Sequence, residues 1–204
     1  MLVVSQIIGS LLQVLGVLLL SYLVYLLLGR PENKFRTWIG LEKTKIRWKY
    51  CLAIGSLYLI LSTGPVIWLY SSHQMTTTNL LTTSYQATGF SPETVLVILF
   101  WATLQTSFSE EILFRACLRK LFVRFLGDRG GNCLQAFLFA FIHIFAVTSY
   151  GFVPILLVFV MTFSVAYAMG WLVSKNQDGS ILESWLIHAT VNIISQPLIL
   201  LFLS

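Results

Sequence analysis

Polarity along this chain falls into long apolar runs separated by short polar ones, and the runs are too long for the half-buried elements of a water-soluble core. A helix that crosses a bilayer needs about 20 mostly apolar residues. Six segments approach that length: Leu2 to Leu28, Tyr50 to Tyr70, Thr94 to Phe114, Leu134 to Thr148, Phe152 to Val173 and Ile181 to Leu203. The fourth is short, but tilting or shelter by neighbouring helices accommodates it at modest cost. The expected fold is all-α, a polytopic transmembrane helix bundle of about six spanning helices. It forms a single transmembrane domain over residues 1–204, with a two-span portion over 1–92 and the remaining spans over 93–204.

Local signals agree with these boundaries. Pro92 and Glu93 suit the first turn of the third span, and Asp178-Gly179-Ser180 reads as the turn and N-cap before the last. Ala166 and Gly170 form a small-xxx-small pair that lets helices approach closely, a packing feature. The first run is longer than the apolar part of a signal peptide, lacks a basic start and ends in Gly29-Arg30-Pro31, so it is expected to stay in the mature protein. The loop from Ser71 to Ser91 is Thr-rich and uncharged, and its His73 reads as a solvated side chain.

Composition supports the membrane reading. The chain is 57% hydrophobic and 10% charged, where a soluble domain carries about 25% charged residues. All thirteen basic residues fall on one side of the bundle. Arg30, Lys34, Arg36, Lys43, Lys45, Arg47 and Lys49 follow the first span; Arg115, Arg119, Lys120, Arg124 and Arg129 follow the third; Lys175 follows the fifth. The opposite loops hold none, so the positive-inside rule makes the basic side cytoplasmic and puts both termini outside. The net charge of +5 therefore expresses topology in a multi-pass cell-membrane protein, and no nucleic-acid partner is expected. The stretch from Arg30 to Lys49, with Trp38 and Trp48, reads equally well as an amphipathic helix among the headgroups or as a plain topogenic loop. Cys51, Cys117 and Cys133 lack the spacing of zinc or redox motifs.

Against this apolar background a few polar residues stand out. Glu110, Glu111 and Arg115 lie on the third span, His143 on the fourth, and His188 with Asn192 on the sixth. An ionised group at bilayer depth costs about 2.5–3.5 kcal/mol on insertion scales, so such residues are functional candidates by default. At 1.5 Å per residue, Glu110 lies about 13 Å inward of Arg119, His143 about 17 Å inward of Asn132 and His188 about 13 Å inward of Gly179. Three helices thus bring their polar groups to nearly one level. Glu111 and Arg115, four apart, pair on one helix face, while Glu110 points about 100° away and is left free as a general base. His143 is placed to help hold and deprotonate a water. His188 and Asn192, also four apart, present two donors on one face, as an oxyanion site requires. No protein nucleophile accompanies them.

Read in order, Glu110-Glu111-x-x-x-Arg115, Phe139-x-x-x-His143 and His188-x-x-x-Asn192 on separate apolar helices resemble the CPBP family, also called the CAAX protease and bacteriocin-processing or Abi family, which includes the type II CAAX prenyl endopeptidase. The resemblance runs from about Glu93 to Leu203, and it implies that residues 93–204 form the catalytic core. It implies an intramembrane endopeptidase with a cavity open to the cytoplasm and a peptide or lipid-modified peptide as substrate. Glu110 and His143 would activate water, His188 and Asn192 would stabilise the oxyanion, and Glu111, Arg115 and Phe139 would support the site. Among prokaryotic relatives it suggests peptide maturation or immunity to bacteriocins.

The family name leaves metal use open. Glu110, His143 and His188 make a three-ligand set of the kind zinc accepts, yet no HExxH pair is present, and a metal-independent glutamate mechanism is preferred. Two further classes fit the polar residues. A non-catalytic immunity or scaffold protein would bind a peptide in the same cavity, and a proton-coupled transporter would use Glu and His as a relay. Paired, interrupted spans of the kind that mark carrier sites are not evident.

Overall fold

The computed structural model describes residues 2–28, 34–72, 80–176 and 179–202, and within these the chain is helical with short connections. The helices are α1 (Leu2–Leu27), α2 (Phe35–Trp38), α3 (Trp48–Ser71), α4 (Leu80–Thr88), α5 (Pro92–Phe100), α6 (Arg119–Ile144), α7 (Phe152–Ser174) and α8 (Leu182–Phe202). Between α5 and α6 the helix continues through two π-helical stretches, Trp101–Phe108 and Glu111–Leu118. Among the described residues five helical stretches are long and apolar enough to cross a membrane: Leu2–Leu27, Trp48–Trp68, Pro92–Tyr150, Phe152–Ser174 and Leu182–Leu201. The third, of 59 residues, contains the third and fourth spans read from the sequence.

Those two spans are arms of a helical hairpin. Gly127 breaks the helix at φ 68°, ψ 175°, a backbone region open to glycine at little cost, and Arg119 pairs with Asp128 across the turn. Beyond the turn, a Cβ on Gly131 would stand 2.4 Å from the backbone nitrogen of Val123, so the arms meet where a larger residue has no room. The third span is therefore longer than the sequence suggested, and Arg115, Arg119, Lys120 and Arg124 are helical residues rather than loop residues. The fourth begins at Asp128 instead of Leu134. Its polar start is used in packing: Asn132 Nδ2 donates to the Tyr167 carbonyl at 3.0 Å and Gln135 Nε2 to the Ala166 carbonyl at 3.1 Å. Ala166 and Gly170 do serve as the close-packing face, since a Cβ on Gly170 would lie 1.9 Å from Asn132 Oδ1.

The outer surface inverts the rule for soluble proteins. On α1 the buried residues are Gln6, Ser10 and Ser21, while Leu12, Leu15 and Leu19 are each more than 60% exposed. A helix with its polar residues inside and leucines outside is solvated by hydrocarbon. Its glutamines serve the widened helix beside it. Gln13 donates to the Gln105 carbonyl at 2.7 Å, and Gln6 donates to the Gln105 side chain.

The segment between α1 and α3 is neither a long amphipathic helix nor a free loop. Among its described residues only Phe35–Trp38 is helical, and Trp38 and Ile39 are buried against Ile112, Ala116, Val173 and Ile181. Ile181 N donates to the Gly40 carbonyl at 3.1 Å, Ser180 Oγ to the Glu42 carbonyl at 2.8 Å, and Lys120 to the Trp38 carbonyl. Arg47 closes the clasp by binding the fully buried Glu183 through both its backbone and guanidinium. The hydrogen bond to Glu183 pushes the Arg47 pKa above its ordinary value. Arg30, His73 and Asp178 lie outside the described residues. Gly179, at φ 60°, and Ser180, whose Oγ accepts from Leu182 N at 3.3 Å, make the turn and cap before α8. Ser91 caps α5 ahead of Pro92, accepting from Thr94 N. The helix α4 falls within the stretch read as an outer loop. Cys51 and Cys117 are buried free thiols, and Cys133 is an exposed one.

Candidate active site

Glu110 sits at the joint between the two π-helical stretches. A π-turn widens the helix and shifts its carbonyls out of the α register, and such turns recur at functional sites. The hydroxyls that precede Glu110 meet those carbonyls. Thr106 Oγ1 donates to the Trp101 carbonyl, five residues back, at 3.0 Å, and Ser109 Oγ donates to the Leu104 carbonyl at 3.2 Å. The polar run Thr103, Gln105, Thr106, Ser107 and Ser109 was the sequence signal for this distortion, and it is easily passed over because each residue is small or uncharged.

The structure brings Glu110, His143 and His188 together. Glu110 Oε2 is 3.9 Å from His143 Nε2 and 3.7 Å from His188 Nε2. It is buried and makes no hydrogen bond to a described residue. The Glu110 and His143 side chains keep 21% and 31% exposure, so this corner of the cluster is reachable. The remaining contacts orient both imidazoles. His143 Nδ1 lies 2.7 Å from the Phe139 carbonyl, which only accepts, so Nδ1 carries its proton and the Nε2 of the neutral ring is an acceptor aimed at Glu110. His188 Nδ1 lies 3.0 Å from Glu111 Oε1, which aims its Nε2 at the same oxygen.

Beneath this layer lies a buried ion pair. Glu111 and Arg115 are both fully buried, with Arg115 Nε 3.3 Å from Glu111 Oε2. The pairing expected from the i, i+4 spacing is present although the backbone there is π-helical. The Arg115 guanidinium stacks 4.3 Å from the centroid of Phe139. That ring also lies 4.3 Å from His143, 5.0 Å from Phe114 and 6.2 Å from His188. Phe139 is therefore the common wall of the site, in contact with the ion pair on one side and an imidazole on the other.

Asn192, which follows His188 by four residues on α8, has partners on the first π-helical stretch. Its Nδ2 donates to Thr106 Oγ1 at 3.1 Å and to Ser107 Oγ at 3.2 Å, which engages both amide protons. The residue ties α8 to the first π-helical stretch, as does Trp185, whose Nε1 donates to the Thr103 carbonyl at 2.9 Å. Sequence reasoning also missed Thr106 and Ser107 as its partners, and Tyr58 of α3, whose ring lies 6.1 Å from His188. Among the described residues no group of three or more His, Cys, Asp or Glu side chains is arranged to hold a metal ion.

A carboxylate facing two oriented imidazoles, backed by a buried carboxylate and guanidinium, is suited to moving protons around a bound water. Neither a curated protein nor a solved structure matches the chain. The family model for type II CAAX prenyl endopeptidase Rce1-like proteins matches residues 92–194, just over half of the chain and the part that carries Glu110, His143, His188 and Asn192. The chain belongs to this Rce1-like family of CAAX-type intramembrane endopeptidases.

Proposed function

We propose that the chain hydrolyses a peptide bond of a membrane-associated or lipid-modified peptide, at a cavity facing the cytoplasm, with Glu110 as general base. One observation carries this reading: the Nε2 atoms of two imidazoles on separate helices face a single carboxylate oxygen at 3.9 and 3.7 Å. These separations are too long for direct hydrogen bonds and suit a water held by the groups around it. Such a water donates one proton to Glu110 and the other to His143 Nε2, which leaves a lone pair to attack.

In the reaction the water oxygen adds to the scissile carbonyl carbon while its proton passes to Glu110. His188, held at Nδ1 by Glu111, donates from Nε2 to the oxygen that becomes negative. When the intermediate collapses the C–N bond breaks and Glu110 returns the proton to the leaving amine. Arg115 holds Glu111 ionised and in place, and Phe139 keeps both layers in register. Asn192 holds α8, and with it His188, against the helix that carries Glu110.

Glu110→Gln keeps the size of the side chain and removes the base. Peptides in membranes of cells carrying the native chain should include processed species that are lacking at matched expression of Glu110→Gln. Equal peptide profiles, with a cellular phenotype that survives the substitution, would favour a peptide-binding scaffold instead.

A further inference from the structure

We propose that the cleft between the segment before α3 and the start of α8 binds one anionic phospholipid, its phosphate on Arg36 and Lys43 and an acyl chain against Leu41, Phe108, Leu182 and Trp185. Occupation of this cleft is independent of the peptidase chemistry, and its lining includes no member of the cluster around Glu110.

The cleft encloses about 240 Å³. Its lining is divided by chemistry: Arg36 and Lys43 are exposed, whereas Leu41, Phe108, Leu182 and Trp185 are half-buried apolar side chains. Cations at one end and an apolar wall at the other match a molecule with an anionic head and a hydrocarbon tail. Its place in the bundle says which molecule. Leu182 opens the last apolar span, and the basic residues gather at this end of the bundle, where headgroups and acyl chains meet.

The rim is available to a phosphate. Among the described residues neither Arg36 nor Lys43 has an acidic partner. Arg36 Nε donates to the Leu41 carbonyl at 3.0 Å, which fixes the guanidinium and leaves its terminal nitrogens to grip a phosphate as a fork. Glu42 also lies on the rim, but its Oε1 accepts from Thr37 Oγ1 at 2.8 Å. Exposed Lys34 and Lys45 on the same segment keep the local field positive.

The walls are set by contacts within the chain. Ile181 N and Ser180 Oγ donate to the Gly40 and Glu42 carbonyls. Gly40 adopts φ 74°, and a Cβ there would stand 2.6 Å from the Gly179 carbonyl oxygen, so the segment runs at contact distance against the turn before α8. Phe108 and Trp185 meet edge to face with centroids 6.0 Å apart, and the Thr103 carbonyl holds Trp185 Nε1. A preformed site loses little order on binding.

The test places the purified full chain in phosphatidylcholine proteoliposomes, titrates in phosphatidylglycerol or phosphatidylcholine brominated on its acyl chains, and reads the quenching of tryptophan fluorescence. Each variant's melting temperature is also measured. Brominated phosphatidylglycerol should quench the native chain at a lower mole fraction than brominated phosphatidylcholine, and that excess should be lost in Trp185→Phe. Arg36→Gln with Lys43→Gln should melt with the native chain and need roughly 25-fold more phosphatidylglycerol for half-quenching, about five-fold for each cation near an anionic headgroup. Arg124→Gln with Arg129→Gln removes the same charge from exposed positions and should keep the native half-point. Equal loss in the two double variants would mean diffuse attraction to the membrane surface instead of a site. Equal quenching by the two brominated lipids, or an excess that survives Trp185→Phe, would also overturn the proposal. Quenching by neither lipid would give the cleft to another occupant and overturn it as well.

Discussion

Replacing Arg115 by methionine removes a charge that the fold has no other way to supply. Arg115 and Glu111 are both fully buried and pair at 3.3 Å, so Arg115→Met leaves a carboxylate in the core with His188 and Ser184 beside it and no cation to match its charge as Arg115 does. Breaking a buried pair in this way costs about 3–5 kcal/mol, and the lost contact with Phe139, 4.3 Å from the guanidinium, adds up to about 2 kcal/mol at a desolvated site. At about 2–4 °C per kcal/mol for a chain of this length, melting temperature in detergent micelles should fall by roughly 6–28 °C. The double substitution Arg115→Met with Glu111→Gln removes both charges, and replacing a buried pair by neutral groups is often close to neutral. It should therefore recover most of the loss, and the difference between single and double variants measures the coupling. The reasoning fails if Arg115→Met melts with the native chain, or if the double variant melts no higher than the single.

Three other outcomes are expected. Gly170→Ala forces a methyl to within 1.9 Å of Asn132 Oδ1, breaks the seam between α6 and α7 and should cost about 1–3 kcal/mol, read as a lower melting temperature. In a cysteine-free background, Glu42→Cys should react with an impermeant thiol reagent only from the cytoplasmic side and Phe90→Cys only from outside; the reverse pattern would invert the topology derived from the basic residues. Chelation of divalent metals should leave peptide cleavage intact, whereas a loss that zinc alone restores would recast Glu110, His143 and His188 as metal ligands.

The spans were legible because hydrocarbon imposes length and composition on each helix independently, without reference to its partners. The meeting of Glu110, His143 and His188 was legible for a related reason: depth along a helix follows from residue count, and three ionisable groups at one depth have few ways to stay apart. The Glu111–Arg115 pair survived a wrong assumption about the backbone, because residues four apart remain neighbours in a π-turn. Features that depend on several elements at once were hidden. Trp38 and Ile39 are buried only because the segment before α3 folds against the second π-helical stretch, α7 and the turn before α8. Asn192 has its two partners only because the π-helical stretch presents Thr106 and Ser107 to α8. Tyr58 sat in an apolar run with no polar neighbour to mark it, and its place beside His188 is a product of helix packing.

The most direct test of the account follows the oxygen atom of water. Membranes carrying the native chain or Glu110→Gln at matched expression are incubated in water enriched in oxygen-18, and new peptide C-termini are read by mass spectrometry. If Glu110 activates water against a peptide bond, a defined set of termini carries one heavy oxygen with the native chain and is missing with Glu110→Gln. An identical set of labelled termini from both membranes would contradict the central claim that this carboxylate is the base of an intramembrane peptidase.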